Sequence, residues 1–205
     1  MDVVHRFPNP QPKTPRRSAK SALEDLRFIR QCVENAGSFT AVPGLGSIVV
    51  GATAVAAAVV AATHDPATLA WLRVWLAEAV IASTLGIWML VRKARAAGAP
   101  LASGPGRRFA LNLLPPVLAA AALTVALVQA GHYAPLPGLW LLLYGTAVVT
   151  GGAFSVRAVT LMGLSFMGLG LVALFVPGGE DVFMGIGFGG LHIAFGQIIR
   201  KRHGG

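Results

Sequence analysis

Beyond residue 40 the chain is mostly long apolar runs separated by short polar links, and each run approaches the roughly 20 residues that a helix needs to cross a hydrocarbon core of about 30 Å. Six runs qualify: Gly44 to Ala62, Thr68 to Val91, Phe109 to Ala130, Leu139 to Ser155, Ala158 to Val176 and Val182 to Ile199. The first is built of small side chains, being mostly Ala, Val and Gly with Ser47 and Thr53. Apolar residues follow one another within the runs instead of alternating with polar ones, which argues against the strands of a membrane β-barrel. The pattern predicts an all-α polytopic membrane protein with six transmembrane helices across residues 38–199, threaded as three hairpins.

The polar stretches predict the rest. Residues 1–17 hold Pro8, Pro10, Pro12 and Pro15 among basic and polar side chains, with nothing to bury, and predict a disordered arm. Over residues 18–37, Leu23, Leu26, Ile29 and Val33 make a narrow apolar stripe opposite Lys20, Glu24, Arg27, Arg30 and Glu34, and Ser21 with Glu24 fits a capping box. An amphipathic juxtamembrane helix follows, suited to lying along headgroups or to docking a protein partner. Residues 200–205 form a basic tail. No apolar core lies near the N-terminus, so no cleaved signal peptide is expected.

Composition strengthens the membrane reading. The chain is 55% hydrophobic and 12% charged, about half the 25% charged residues typical of soluble domains, with a mean hydropathy of +0.66. Charge sets the expected threading. Of 17 Lys and Arg, all but Arg73 lie in the N-terminal arm and helix, in the link from Arg92 to Arg108, at Arg157, or in the tail. The three opposite links hold only His64, Asp65, His132, Glu180 and Asp181. The positive-inside rule then places both termini in the cytoplasm, in a bacterial cytoplasmic (inner) membrane. Trp71, Trp75, Tyr133 and Trp140 are expected at the outer interface and Trp88 at the inner one.

Few residues carry candidate chemistry. A lone cysteine, Cys32, excludes an internal disulfide. No catalytic residue is assigned: Cys32 and the span serines lack an evident base, and the GLSF sequence at Gly163 to Phe166 is the sole, unsupported hint of an intramembrane protease. There is no phosphate-binding loop, no nucleic-acid motif to accompany the basic residues, and no metal-ligand spacing. Glu78 stands out because it lies near mid-depth, where an ionised carboxylate costs at least about 2.5 kcal/mol and must face protein or water. His192 lies at similar depth, so a Glu78 to His192 hydrogen bond is expected, as an inert lock or a protonatable site. Arg73 is expected to reach outward to Asp65, Glu180 or Asp181. Haem would need His192 as one axial ligand and a methionine as the other, and no haem or other cofactor is expected. Pro115 and Pro116 predict a helix kink, with the carbonyls of Leu111 and Asn112 freed. Gly185, Gly189 and Gly196, and Ala54, Ala58 and Ala62, predict small-residue packing faces within the bundle or in a homo-oligomer.

Two stretches, LRFIRQCVENAGSFTAVPGLG and FGGLHIAFGQIIRKRHGG, resemble an uncharacterised group of small bacterial six-span membrane proteins. The resemblance implies the same fold and brings no activity. The function expected is that of a non-enzymatic membrane subunit or interaction protein, with a small proton-linked transporter or channel using Glu78 and His192 as the alternative.

Overall fold

The computed structural model describes residues 23–30, 42–96, 98, 104–153 and 155–203. The chain divides into two units, Met1–Asn35 and Ala36–Gly205. In the first, residues 23–30 form helix α1 with every side chain exposed. The rest of the helix predicted over 18–37, including Ser21 and Cys32, lies outside the described residues, as does the proline-rich arm.

The second unit is all helix apart from its links: α2 (Gly44–Ala61), α3 (Leu69–Ala96), α4 (Gly104–Gln129), α5 (Leu136–Gly152), α6 (Arg157–Phe175), α7 (Glu180–Met184), a π-helical segment (Gly185–Leu191) and α8 (His192–His203). The last three run on as one apolar helix, Glu180–Arg202. Among the described residues five helices are long and apolar enough to cross a membrane, and α5, also apolar, is 17 residues long. At 1.5 Å per residue that is about 25 Å. The exposure pattern is inverted relative to a soluble domain: Val80 is 68% exposed and Phe175 80%, whereas Glu78 is 7% and His192 5% exposed. Exposed Leu, Val and Ile line the outer faces of the bundle, far beyond the apolar patches that a water-soluble monomer shows. This is a multi-pass membrane protein.

Several helices outrun their apolar cores. α3 continues five residues past Val91, through Arg92 to Ala96, because Ala, Arg and Lys sustain a helix beyond the point where hydropathy ends, and α4 starts five before Phe109, with Pro105 in its first turn, where the missing N–H costs no hydrogen bond. The link expected from Arg92 to Arg108 is correspondingly shorter. Arg92 turns back over the Trp88 ring, 5.7 Å from its centroid.

Packing departs from simple hairpins. The closest helix pairs are α5 with α6, and α2 with the π segment and α8, the first and last spans; α3 packs mainly on α2 and α4 on α5. Glycines spaced by seven make both close seams. A Cβ on Gly145 falls 2.7 Å from Gly163 O, and one on Gly163 2.8 Å from Gly145 O; Gly138 and Gly170 repeat this at 3.0 and 2.9 Å. In the other seam a Cβ on Gly44 falls 2.7 Å from Gly196 O, one on Gly196 2.8 Å from Gly44 O, and one on Gly51 2.7 Å from Gly189 O. A seven-residue spacing returns to the same stripe of a helix every two turns, so backbone meets backbone along the whole seam. Gly185 reaches the same partner at Ala58. The face expected at Gly185, Gly189 and Gly196 is thus an internal one, against α2. Ala54 is buried, while Ala62 is exposed.

The tandem prolines do not interrupt α4, which is continuous from Gly104 to Gln129. Pro116 cannot donate to Asn112 O, and the Thr150 hydroxyl of α5 donates to that oxygen instead, at 2.8 Å. Asn112 Nδ2 donates to Arg108 O at 2.8 Å, giving the same turn a second tie. A neighbouring hydroxyl restoring a freed carbonyl is how membrane helices tolerate proline.

The bundle has a basic and an acidic end. At the first, Lys93 Nζ donates to Val42 O at 3.2 Å, and α8 brings Arg200 beside Gly44. At the other, Trp71 Nε1 donates to Asp181 Oδ1 at 2.7 Å. Arg73 is exposed and does not take Asp181.

Candidate functional site

Trp71 and Trp75 are 0% and 3% exposed, so they are core residues and not members of the expected interfacial belt. Their indoles begin a run of rings that descends through the bundle from the acidic end. Trp140 stacks on Trp71 at 5.9 Å, Trp75 follows at 6.2 Å, and Phe188 lies 6.4 Å beyond Trp75. Tyr144 and Phe166 complete the cluster around His192, with Tyr144 5.2 Å from Phe188 and Phe166 5.2 Å from the imidazole. Buried indoles need an acceptor. Trp71 has Asp181, and Trp140 donates to Thr124 Oγ1 at 2.7 Å. Trp75 Nε1 has none, alone among the buried side-chain polar atoms of the described residues.

The π segment sets the position of His192. Four of its seven residues, GIGFGGL, are glycine, and it directs Phe188 and His192 toward α5 and α6. His192 Nδ1 lies 2.9 Å from Phe188 O, one turn back, and Nε2 lies 2.7 Å from the Tyr144 hydroxyl. A carbonyl oxygen only accepts, so the Nδ1 proton goes to Phe188 and Nε2 accepts the Tyr144 proton. Both ring nitrogens are engaged, and an iron ligated here would have to displace Tyr144 or break the turn. π-turns of this kind recur at functional sites. The Tyr144 partner was not foreseen, although its aromatic character and central place in α5 made it available.

Glu78 sits elsewhere. Thr53 of α2 donates to Glu78 Oε1 at 2.9 Å and also lies 2.8 Å from Val50 O, so its single proton serves two acceptors. Glu78 and Thr53 form part of the wall of a groove of about 430 Å³ between α2 and α3, whose other walls include Ala56, Ala57, Ala77 and Ile81. Glu78 makes no hydrogen bond besides the one from Thr53 among the described residues. Its second oxygen is not fully enclosed.

The expected Glu78 to His192 pair is therefore not formed. The reason is α2, which stands between them: Thr53 faces α3, while Gly51, two residues earlier and so about 200° round the helix, packs on the π segment and α8. Each polar group finds its own partner on its own side of α2. The loop residues His64, Asp65, His132, Glu180 and Asp181 make no metal-holding group of three among the described residues. Comparison with protein families, curated proteins and solved structures gives no match to the chain.

Proposed function

We propose that this chain is a non-enzymatic membrane subunit or interaction protein of a bacterial cytoplasmic membrane. It crosses six times, α5 included, with its basic end and both termini in the cytoplasm. Its α2–α3 groove receives a transmembrane helix of a partner or of a second copy. The observation that carries this reading is the intramembrane carboxyl at an otherwise apolar groove. A lipid tail filling that space offers no hydrogen-bond donor, and a carboxyl facing hydrocarbon is costly. A polar side chain on a docked helix supplies the donor, and Ala56, Ala57 and Ala77 leave room for its backbone to come close. The exposed α1 offers a further contact for a cytoplasmic partner.

Proton-linked transport through Glu78 and His192 is the competing reading. It needs a continuous polar path, whereas α2 separates the two groups and both have local partners. The test is photo-crosslinking in native membranes, with a benzophenone amino acid at Val60 or Ile81 in the groove and at Leu164 or Val125 on exposed faces elsewhere. The groove positions are expected to give one discrete protein adduct, identified by mass as a partner or a second copy, that weakens several-fold in Glu78→Ala. Adducts to lipid alone at all four positions contradict the proposal. A proton flux in proteoliposomes abolished by Glu78→Gln supports transport instead.

A further inference from the structure

At the basic end, a cleft of about 510 Å³ opens between the start of α6 and the end of α8. Arg157, Lys201 and Arg202 line it, together with Leu161, Phe195 and Ile198. All three cations are exposed, and none has a carboxylate partner among the described residues. Among the described residues of the membrane unit no acidic side chain is placed to neutralise them: Asp65, in the link after α2, and Glu180 and Asp181, in the first turn of α7, lie at the acidic end, and Glu78 lies between α2 and α3. The start of α6 adds to the positive field, because its N-cap, Val156, offers no side-chain acceptor to the first turn.

The geometry points to a binding site for an anionic diacyl phospholipid, whose phosphate sits among Arg157, Lys201 and Arg202 while an acyl chain runs over Leu161, Phe195 and Ile198. Two features together select a lipid over a free phosphate. Cations at the rim fit the phosphodiester, and the apolar wall continues from them onto the surface of the two helices, where a soluble anion has nothing to gain. Basic clefts between spans on the cytoplasmic side are the usual setting for anionic headgroups. Other cations at this end, Arg92, Arg107 and Arg108, are exposed but do not line the cleft. They separate a defined site from general surface charge.

The test is native mass spectrometry of the full chain in mild detergent, titrated with phosphatidylglycerol or with phosphatidylcholine of the same acyl chains. Each juxtamembrane cation is worth roughly fivefold in affinity for an anionic surface, so three set a preference of at least about tenfold and at most about a hundredfold for phosphatidylglycerol. The Arg157→Gln, Lys201→Gln, Arg202→Gln triple variant is expected to lose that preference, each single substitution to lose part of it, and the Arg92→Gln, Arg107→Gln, Arg108→Gln variant to keep it. Millimolar inorganic phosphate is expected not to compete. Equal losses in the two triple variants, effective competition by phosphate, or no preference in the unaltered chain overturns the assignment.

Discussion

Replacing Gly145 by leucine is expected to abolish the folded bundle, while the same change at Gly168, also a glycine of this hairpin, leaves it intact. The contrast rests on what a side chain meets. At Gly145 even a Cβ lies 2.7 Å from Gly163 O, Met167 N and Met167 Cγ, and two of those three atoms are backbone. No rotamer relieves such a contact, so α5 and α6 must separate. Overpacking by a methylene or two already costs about 1–3 kcal/mol where side chains can yield, and a leucine against backbone exceeds that. At Gly168 nothing lies within 4 Å, and removing a helical glycine gains up to about 1 kcal/mol in propensity. Thermal aggregation measured in detergent should show no folded Gly145→Leu protein and an unchanged or higher midpoint for Gly168→Leu. Equal behaviour of the two variants contradicts the glycine seam.

The second large effect is expected at His192. Truncation to alanine leaves the Tyr144 hydroxyl without its acceptor and opens a void among Tyr144, Phe166 and Phe188. Tyr144→Phe removes the hydroxyl and keeps the ring. Interhelical hydrogen bonds in membranes average about 0.6 kcal/mol and reach about 1.7, whereas truncating a large packed side chain costs about 2–5. Packing therefore outweighs the hydrogen bond: His192→Ala is expected to cost about 3 kcal/mol or more and Tyr144→Phe about 1. Steric-trapping or denaturant unfolding of the two variants measures the difference. A larger loss for Tyr144→Phe than for His192→Ala contradicts this ordering.

Much of this architecture was legible in the chain, and the parts that were not share a cause. Hydropathy located the helices because crossing lipid is a property of each segment by itself. The burial of Glu78 and His192 was legible for the same reason, since a polar group at mid-depth has to find protein whatever its neighbours are. Their partners were not. Which groups meet depends on which helix lies between, and nothing in a linear pattern places α2 there. Trp71 and Trp75 show a related ambiguity: an indole at a helix end satisfies its polar edge equally well at a headgroup or, as here for Trp71, at Asp181. The glycine seams were available in the sequence. Gly44 and Gly51, Gly138 and Gly145, Gly163 and Gly170, and Gly189 and Gly196 are each seven apart. Of these, only Gly189 and Gly196 stand on an expected packing face, because the partner pairs on α2, α5 and α6 gain meaning only once the helices they meet are known.

The same limit applies to the site. An apolar groove with one carboxyl exists only once α2 and α3 are set side by side, with Thr53 and Glu78 at one level. The basic cleft likewise joins Arg157 to Lys201 and Arg202 across more than 40 residues of chain. Charge placement in the sequence groups these cations, and tertiary packing makes them the rim of a cleft.

The threading proposed for this chain turns on α5, the shortest of the apolar helices taken as single crossings. In a Cys32→Ser background, single cysteines at His132 and Ala153 bracket α5 and can be probed in intact cells with a membrane-impermeant maleimide. His132→Cys is expected to react from outside and Ala153→Cys only after permeabilisation. Labelling of both from one side contradicts that threading, because α5 then fails to cross and the basic tail lies across the membrane from Arg92 and Lys93.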